Sequence, residues 1–102
     1  MEKKVEISII IPCFNHGLYL REAVNSIIGL EKIQYEIIIV NDGSTDSFTI
    51  QVLKELENDG YNVIHQPNLG LGAARNAGIK HAQGKYILPL DSDNKIKHEY
   101  LI

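Results

Sequence analysis

Residues 7–11 and 36–40 are almost unbroken runs of Ile and Val, and residues 86–90 repeat the pattern with Ile and Leu. A strand with one wet face alternates apolar and polar residues, because successive side chains point to opposite faces. A run that does not alternate must be covered on both faces, which is the setting of a parallel sheet flanked by helices. Residues 62–65 add a fourth, shorter run, giving four predicted strands.

The stretches between the runs have helical spacing. Residues 19–30 place Leu20, Ala23, Val24, Ile27 and Ile28 on one stripe, and residues 47–58 place Ile50, Leu53 and Leu56 together. A third helix is expected over 72–83, with Ala73, Ala74, Ala77 and Ile79. Gly84 stands where a left-handed C-cap is expected, and Asp59-Gly60 closes the preceding helix in the same way. The order β-α-β-α-β-α-β implies right-handed crossovers and an open, mostly parallel α/β sheet with flanking helices. In that architecture ligands sit outside the carboxyl ends of the strands, so the residues following each strand carry the functional reading.

A chain of 102 residues forms one domain and not two. With 44% hydrophobic and 23% charged residues it can pack a core without staples. The formal net charge of −3, with no basic cluster, argues against a nucleic-acid polymer as partner. The single Cys13 cannot form an internal disulfide, and no Cys/His spacing suggests zinc, so a reducing, cytoplasmic setting is expected. No apolar run reaches the roughly 18 residues of a membrane span. Attachment to the inner face of a membrane would have to come from segments downstream.

The first strand is followed by Pro12-Cys13-Phe14-Asn15-His16. Pro12 lacks an N–H and is expected to end the ladder, leaving Phe14 and Asn15 at the sheet edge, one able to stack and one to hydrogen-bond. Taken alone, these residues read first as a plain turn. After the second strand, Asn41-Asp42-Gly43-Ser44-Thr45-Asp46 is turn chemistry, and Thr45 or Asp46 can cap the next helix. Asp42 is left over, and a carboxylate there could accept a hydrogen bond from the imide N–H of a pyrimidine.

Before the third helix stands Asn68-Leu69-Gly70-Leu71-Gly72-Ala73-Ala74-Arg75-Asn76-Ala77-Gly78. A G-x-G-x-x-G dinucleotide fingerprint is not complete here, and the segment follows the third strand instead of the first. Its small residues permit close helix–sheet packing, and Arg75 offers a positive fork or a solvated surface charge. After the fourth strand comes Leu90-Asp91-Ser92-Asp93-Asn94. Two carboxylates so close call for a positive partner, and oxygen ligands suit Mg²⁺ or Mn²⁺. No Gly and Glu follow at the spacing of an EF-hand.

Taken together, Ile10-Ile11-Pro12-Cys13-Phe14-Asn15, Val40-Asn41-Asp42-Gly43-Ser44-Thr45-Asp46, Gly70 to Gly78 and Leu90-Asp91-Ser92-Asp93 resemble, in order and spacing, the N-terminal half of the family 2 inverting glycosyltransferases. The resemblance covers nearly the whole chain and implies a GT-A, Rossmann-like nucleotide-diphospho-sugar transferase fold. Pro12, Phe14 and Asn15 would then border the base, with Phe14 where relatives more often carry Tyr. Asp42 would pair with the base and Arg75 would lie close to it. Asp91 would face the ribose, Ser92 would join the nucleotide-sugar contacts, and Asp93 with Asp91 would hold the Mn²⁺ or Mg²⁺ that bridges the diphosphate. Asn94 departs from the further acidic residue of many relatives.

The implied reaction moves a sugar from a nucleotide diphosphate, UDP foremost, to an acceptor hydroxyl on a glycan, lipid or protein, with inversion and metal assistance. The general base belongs to the acceptor-binding half, expected beyond Ile102; Glu99 comes too early to serve. On this reading residues 1–102 are the donor-binding part, hold no catalytic residue and do not transfer sugar alone. The alternatives are a nucleotide-sugar-binding module without catalysis and a nucleotidyltransferase. The latter opens on a Gly-rich basic loop where this chain has Pro12-Cys13-Phe14-Asn15. Cys13 reads as a buried thiol, and His16, His65, His81 and His98, which share no ligand spacing, read as surface or packing residues.

Overall fold

Seven elements alternate along the chain in a computed structural model that describes residues 5–27 and 34–91. They are β1 (Ile7–Cys13), α1 (Gly17–Ile27), β2 (Tyr35–Asp42), α2 (Ser47–Asn58), β3 (Asn62–Gln66), α3 (Leu71–His81) and β4 (Tyr86–Pro89). The strands form one parallel sheet in the order β3-β2-β1-β4. The open α/β expectation holds in its element order and in the direction of every strand.

Alternation along β1 and β2 divides the core. Ile9, Ile11 and Ile39 face Leu20, Ala23, Val24 and Ile27 of α1 and Val52, Leu53 and Leu56 of α2. Ile10, Ile38 and Val40 face Ala74 of α3 on the other side. Both faces of the two central strands are therefore dry, which is why their sequences do not alternate. The approach of α3 is close because its contact residues are small: a Cβ on Gly78 would clash with Cγ2 of Ile10. Two polar side chains, Ser8 and Thr49, are fully buried in this interior, and both are satisfied. Ser8 is fully buried, donates to Glu36 Oε2 and accepts from the Gly84 amide.

Several expectations are corrected. Pro12 does not end the ladder, since it pairs with Val40 and β1 runs on to Cys13. Ile10 turns its carbonyl to β4, where Leu90 N–H donates to it, so Pro12, two residues on, turns its missing donor to the same side. Pairing with β4 has already ended there at Ile10 and Pro89, and no ladder bond is lost.

Among the described residues β4 is an edge strand with Tyr86 and Ile87 exposed, not a strand covered on both faces. Ile50 and Ile79 lie outside the buried stripes, which are Thr49, Val52, Leu53 and Leu56 in α2 and Ala74 and Gly78 in α3. In α3 the phase is set by the residues small enough to touch the sheet, and Ile79 is rotated away from them. Gly84 has no positive φ; α3 ends on an extended Ala82, and Gly84 is needed because a Cβ would stand 2.6 Å from the Ser8 nitrogen. Gly60, by contrast, is left-handed at φ 99° and closes α2 as expected. α1 begins at Gly17, two residues before the expected start, and Ile28 lies outside the described residues.

Candidate functional site

The chain winds outward from β1 through β2 to β3 and then returns to lay β4 on the opposite side of β1. At such a switch point neighbouring strands send their connections apart, leaving a crevice beyond their carboxyl ends. A cavity of about 480 Å³ opens there, a volume suited to a small-molecule ligand. Every strand end contributes to its wall: Pro12 near the end of β1 and Phe14 just after it, Asp42 at the end of β2, Asn68 and Gly70 between β3 and α3, and Asp91 after β4. Phe14 is 43% exposed and presents its ring to water at the rim.

Asp42 is the most tightly held of these groups. It is only 4% exposed, and its carboxylate accepts three hydrogen bonds. Gln66 Nε2 and the Leu69 amide reach Oδ1, both at 2.8 Å, and the Gly70 amide reaches Oδ2 at 3.0 Å. Burial acts to raise its pKa, but the Leu69, Gln66 and Gly70 donors outweigh it and hold the group below the usual Asp value. The Asn68 side chain also donates to the Asp42 carbonyl at 3.1 Å. The loop before α3 is thus folded around Asp42. Gly43 makes room for it: its φ is 70°, and a Cβ would lie 2.5 Å from the Asn68 nitrogen.

Asn15 sits beside the cavity and works on the β2–α2 turn. At φ 56° it is the one non-glycine residue with positive φ among those described. Its Oδ1 accepts from the amides of Thr45 and Asp46 at 2.8 and 2.9 Å, and its own amide donates to Ser44 Oγ. The structure therefore gives Asn15 a loop-bracing role, while Pro12, Phe14, Asp42 and Asp91 meet around the cavity. Arg75 reaches the site through Asp91, with its Nη2 2.8 Å from Oδ1; both side chains are more than a third exposed.

Ser92 and Asp93 lie outside the described residues. Among the described residues there is no group of three or more His, Cys, Asp or Glu that could hold a metal ion. Of the two carboxylates expected to hold a metal, only Asp91 is among the described residues, and it is paired with Arg75. Cys13 is buried as expected, and burial pushes its thiol pKa up, leaving it a poor nucleophile.

Sequence reasoning missed Gln66 and gave no separate role to Asn68, Gly70 or Leu71, all of which shape the cavity or its loop. Asn68 and Gly70 lie in the quoted small-residue segment and could have been singled out there. Gln66 carries no local signal. Only the register, which sets it directly beside Asp42 in the last rung of β2 and β3, reveals it.

A parallel sheet with carboxylates and a glycine-rich loop gathered at its switch point defines an α/β ligand-binding domain. The model of Glycosyl transferase family 2 matches residues 8–102, and the chain belongs to that family. It is 38% identical over 98 residues to the glycosyltransferase GlyA of Streptococcus pneumoniae, covering 94% of this chain and 14% of GlyA. S. aureus TarS in complex with UDP-GlcNAc is similar at a TM-score of 0.74 and 31% identity, over 95% of this chain and 29% of that one. The mannosyltransferase PcManGT from Pyrobaculum calidifontis, in complex with GDP-Man and Mn²⁺, shares the fold at a TM-score of 0.81 and 18% identity, over 97% of this chain and 31% of its own. The chain thus spans less than a third of the length of these proteins. No helix among the described residues is long and apolar enough to cross a membrane.

Proposed function

We propose that the cavity is the donor site of a glycosyltransferase and holds the nucleotide of a nucleotide-diphosphate sugar, with uridine as the base. The observation that carries this reading is the meeting of Pro12, Phe14, Asp42 and Asp91, from three separate sequence motifs, around one cavity at the switch point. The UDP-GlcNAc complex of TarS supports uridine.

In this reading the Phe14 ring stacks on the base and Asp42, held ionised, accepts the imide N–H of uracil. Asp91 meets the ribose, and Arg75 orients Asp91. Asn15 keeps the β2–α2 turn in place beside them. A divalent cation, Mn²⁺ or Mg²⁺, shared by Asp91 and Asp93 belongs to the same reading and, when bound, would supply Lewis-acid stabilisation to the departing nucleoside diphosphate. Inverting transfer to an acceptor hydroxyl also needs a general base within about 3 Å of that hydroxyl. That part is assigned to none of the described residues. A cytosolic setting, with any membrane attachment through other segments, accords with the unpaired buried thiol.

Calorimetric titration of UDP into this chain, with and without Mn²⁺, and into Asp42→Ala and Asp93→Ala, tests the reading. Binding that weakens in both variants, with the metal dependence abolished in Asp93→Ala, is the expected result. A folded wild-type chain that ignores UDP while binding GDP or ADP would overturn the choice of base. Indifference to all three would overturn the site.

A further inference from the structure

Asp42 receives three donors, and they are not equivalent. Two are amides of the loop before α3, Leu69 and Gly70, where Leu69 is 64% exposed and Gly70 has a φ of 100°. The third is the side-chain amide of Gln66, carried on the last rung of the β2–β3 ladder directly beside Asp42. It is the only one of the three fixed to the sheet. The partner of an ionised carboxylate must be a donor, so Gln66 presents its NH₂ and not its carbonyl.

The torsion that sets the plane of an Asp carboxylate is soft, and hydrogen bonds decide it. Oδ1 accepts from Gln66 and Leu69, which fills its two lone pairs, whereas Oδ2 accepts from Gly70 alone among the described residues. One acceptor site is therefore left on Oδ2, on a residue that lines the cavity. Gln66 stands behind Asp42 and determines which oxygen is spent inward and which remains for a ligand.

We infer that Gln66 is a positioning residue of the nucleotide pocket: it locks the Asp42 carboxylate so that Oδ2 keeps one lone pair for a ligand N–H, making the site selective for a base with an imide donor. The inference rests on the nucleotide reading of the cavity. Without the Gln66 donor, Oδ1 is held by the Leu69 loop amide only, the carboxylate plane is free to turn, and the preference for an imide fades while stacking and phosphate contacts persist.

The test compares UDP with its N3-methyl derivative, which lacks the imide N–H, on wild type and on Gln66→Met, a substitution of similar length without a donor. Wild type should prefer UDP by about tenfold, the worth of one well-placed hydrogen bond to a charged acceptor. Gln66→Met should lose most of that preference, with affinity for the N3-methyl ligand unchanged. A folded Gln66→Met that keeps the wild-type preference overturns the inference and leaves the nucleotide reading standing, whereas a wild type that binds both ligands equally overturns the inference and the Asp42–imide contact, leaving only the cavity as a nucleotide site. Failure of wild type to bind UDP removes the inference together with the choice of uridine, and failure to bind GDP and ADP as well removes the nucleotide reading.

A second measurement needs no substitution. In ¹⁵N-labelled wild type the Gln66 side-chain NH₂ resonance should move on adding UDP and stay in place with the N3-methyl ligand. A resonance indifferent to UDP that is shown to bind also overturns the inference.

Discussion

Asp42 is a structural hub and, under the proposed function, also the residue that recognises the base. Its carboxylate is the hub for Gln66, Leu69 and Gly70, so Asp42→Ala leaves three donors without their acceptor at a nearly buried point. A loss of about 2–4 kcal/mol is expected from urea unfolding. The sign of its pH dependence follows from its lowered pKa. A depressed folded-state value favours the ionised form in the native protein, so the stabilisation is present above the ordinary Asp value of about 3.9 and is lost as pH falls through the lower, folded value. The stability gap between wild type and Asp42→Asn should therefore narrow in unfolding series taken below about pH 4, and a gap that stays constant there would refute the role. Gly78 makes a second residue-scale case. Alanine favours helix by about 1 kcal/mol, but its methyl would enter the fully buried Ile10 side chain. Overpacking costs about 1–3 kcal/mol and should win, lowering the melting temperature of Gly78→Ala.

The N-terminus of α2 shows how one element is tied to the next. Asp46 caps the helix, its Oδ2 accepting from the Thr49 amide at 3.0 Å and from Thr49 Oγ1 at 2.8 Å. Thr49 Oγ1 in turn accepts from the Gly17 amide at 2.9 Å, where α1 begins. The helices meet closely at that point, since a Cβ on Gly17 would lie 2.7 Å from the Thr49 Cα. A cap that also organises a neighbouring helix should cost more than an isolated one: Asp46→Ala is expected to lose about 1–2 kcal/mol. Thr49→Val keeps the shape but orphans the Gly17 donor, at about 1–3 kcal/mol. Urea midpoints of the two variants and their double mutant check the coupling, because the paired loss should be smaller than the sum of the single losses.

Across the whole molecule, β1 and β2 are covered on both faces and paired on both edges, whereas β4 pairs only with β1 among the described residues and exposes Tyr86 and Ile87. Amide exchange should accordingly be slowest at Ile9–Ile11 and Ile38–Val40 and fastest, among the strands, in β4; comparable protection in β4 would contradict this ordering. The unbroken Ile and Val runs determined by themselves that the chain builds a parallel, doubly covered sheet, because only burial on both faces makes that composition favourable. Helix order, the α2 cap and the turn at Asp59-Gly60 were legible for the same reason, each resting on contacts a few residues apart. The edge position of β4 and the outward turn of Ile79 were not, since they depend on which strand pairs with which and on how closely α3 approaches Ile10. The spacing of the motifs pointed to Asp42, yet only the β2–β3 register put Gln66 beside it and only the folded loop set its three donors. Local periodicity records what a residue needs to bury; which distant residue meets it is decided by the tertiary structure, because sequence separation carries no information about register.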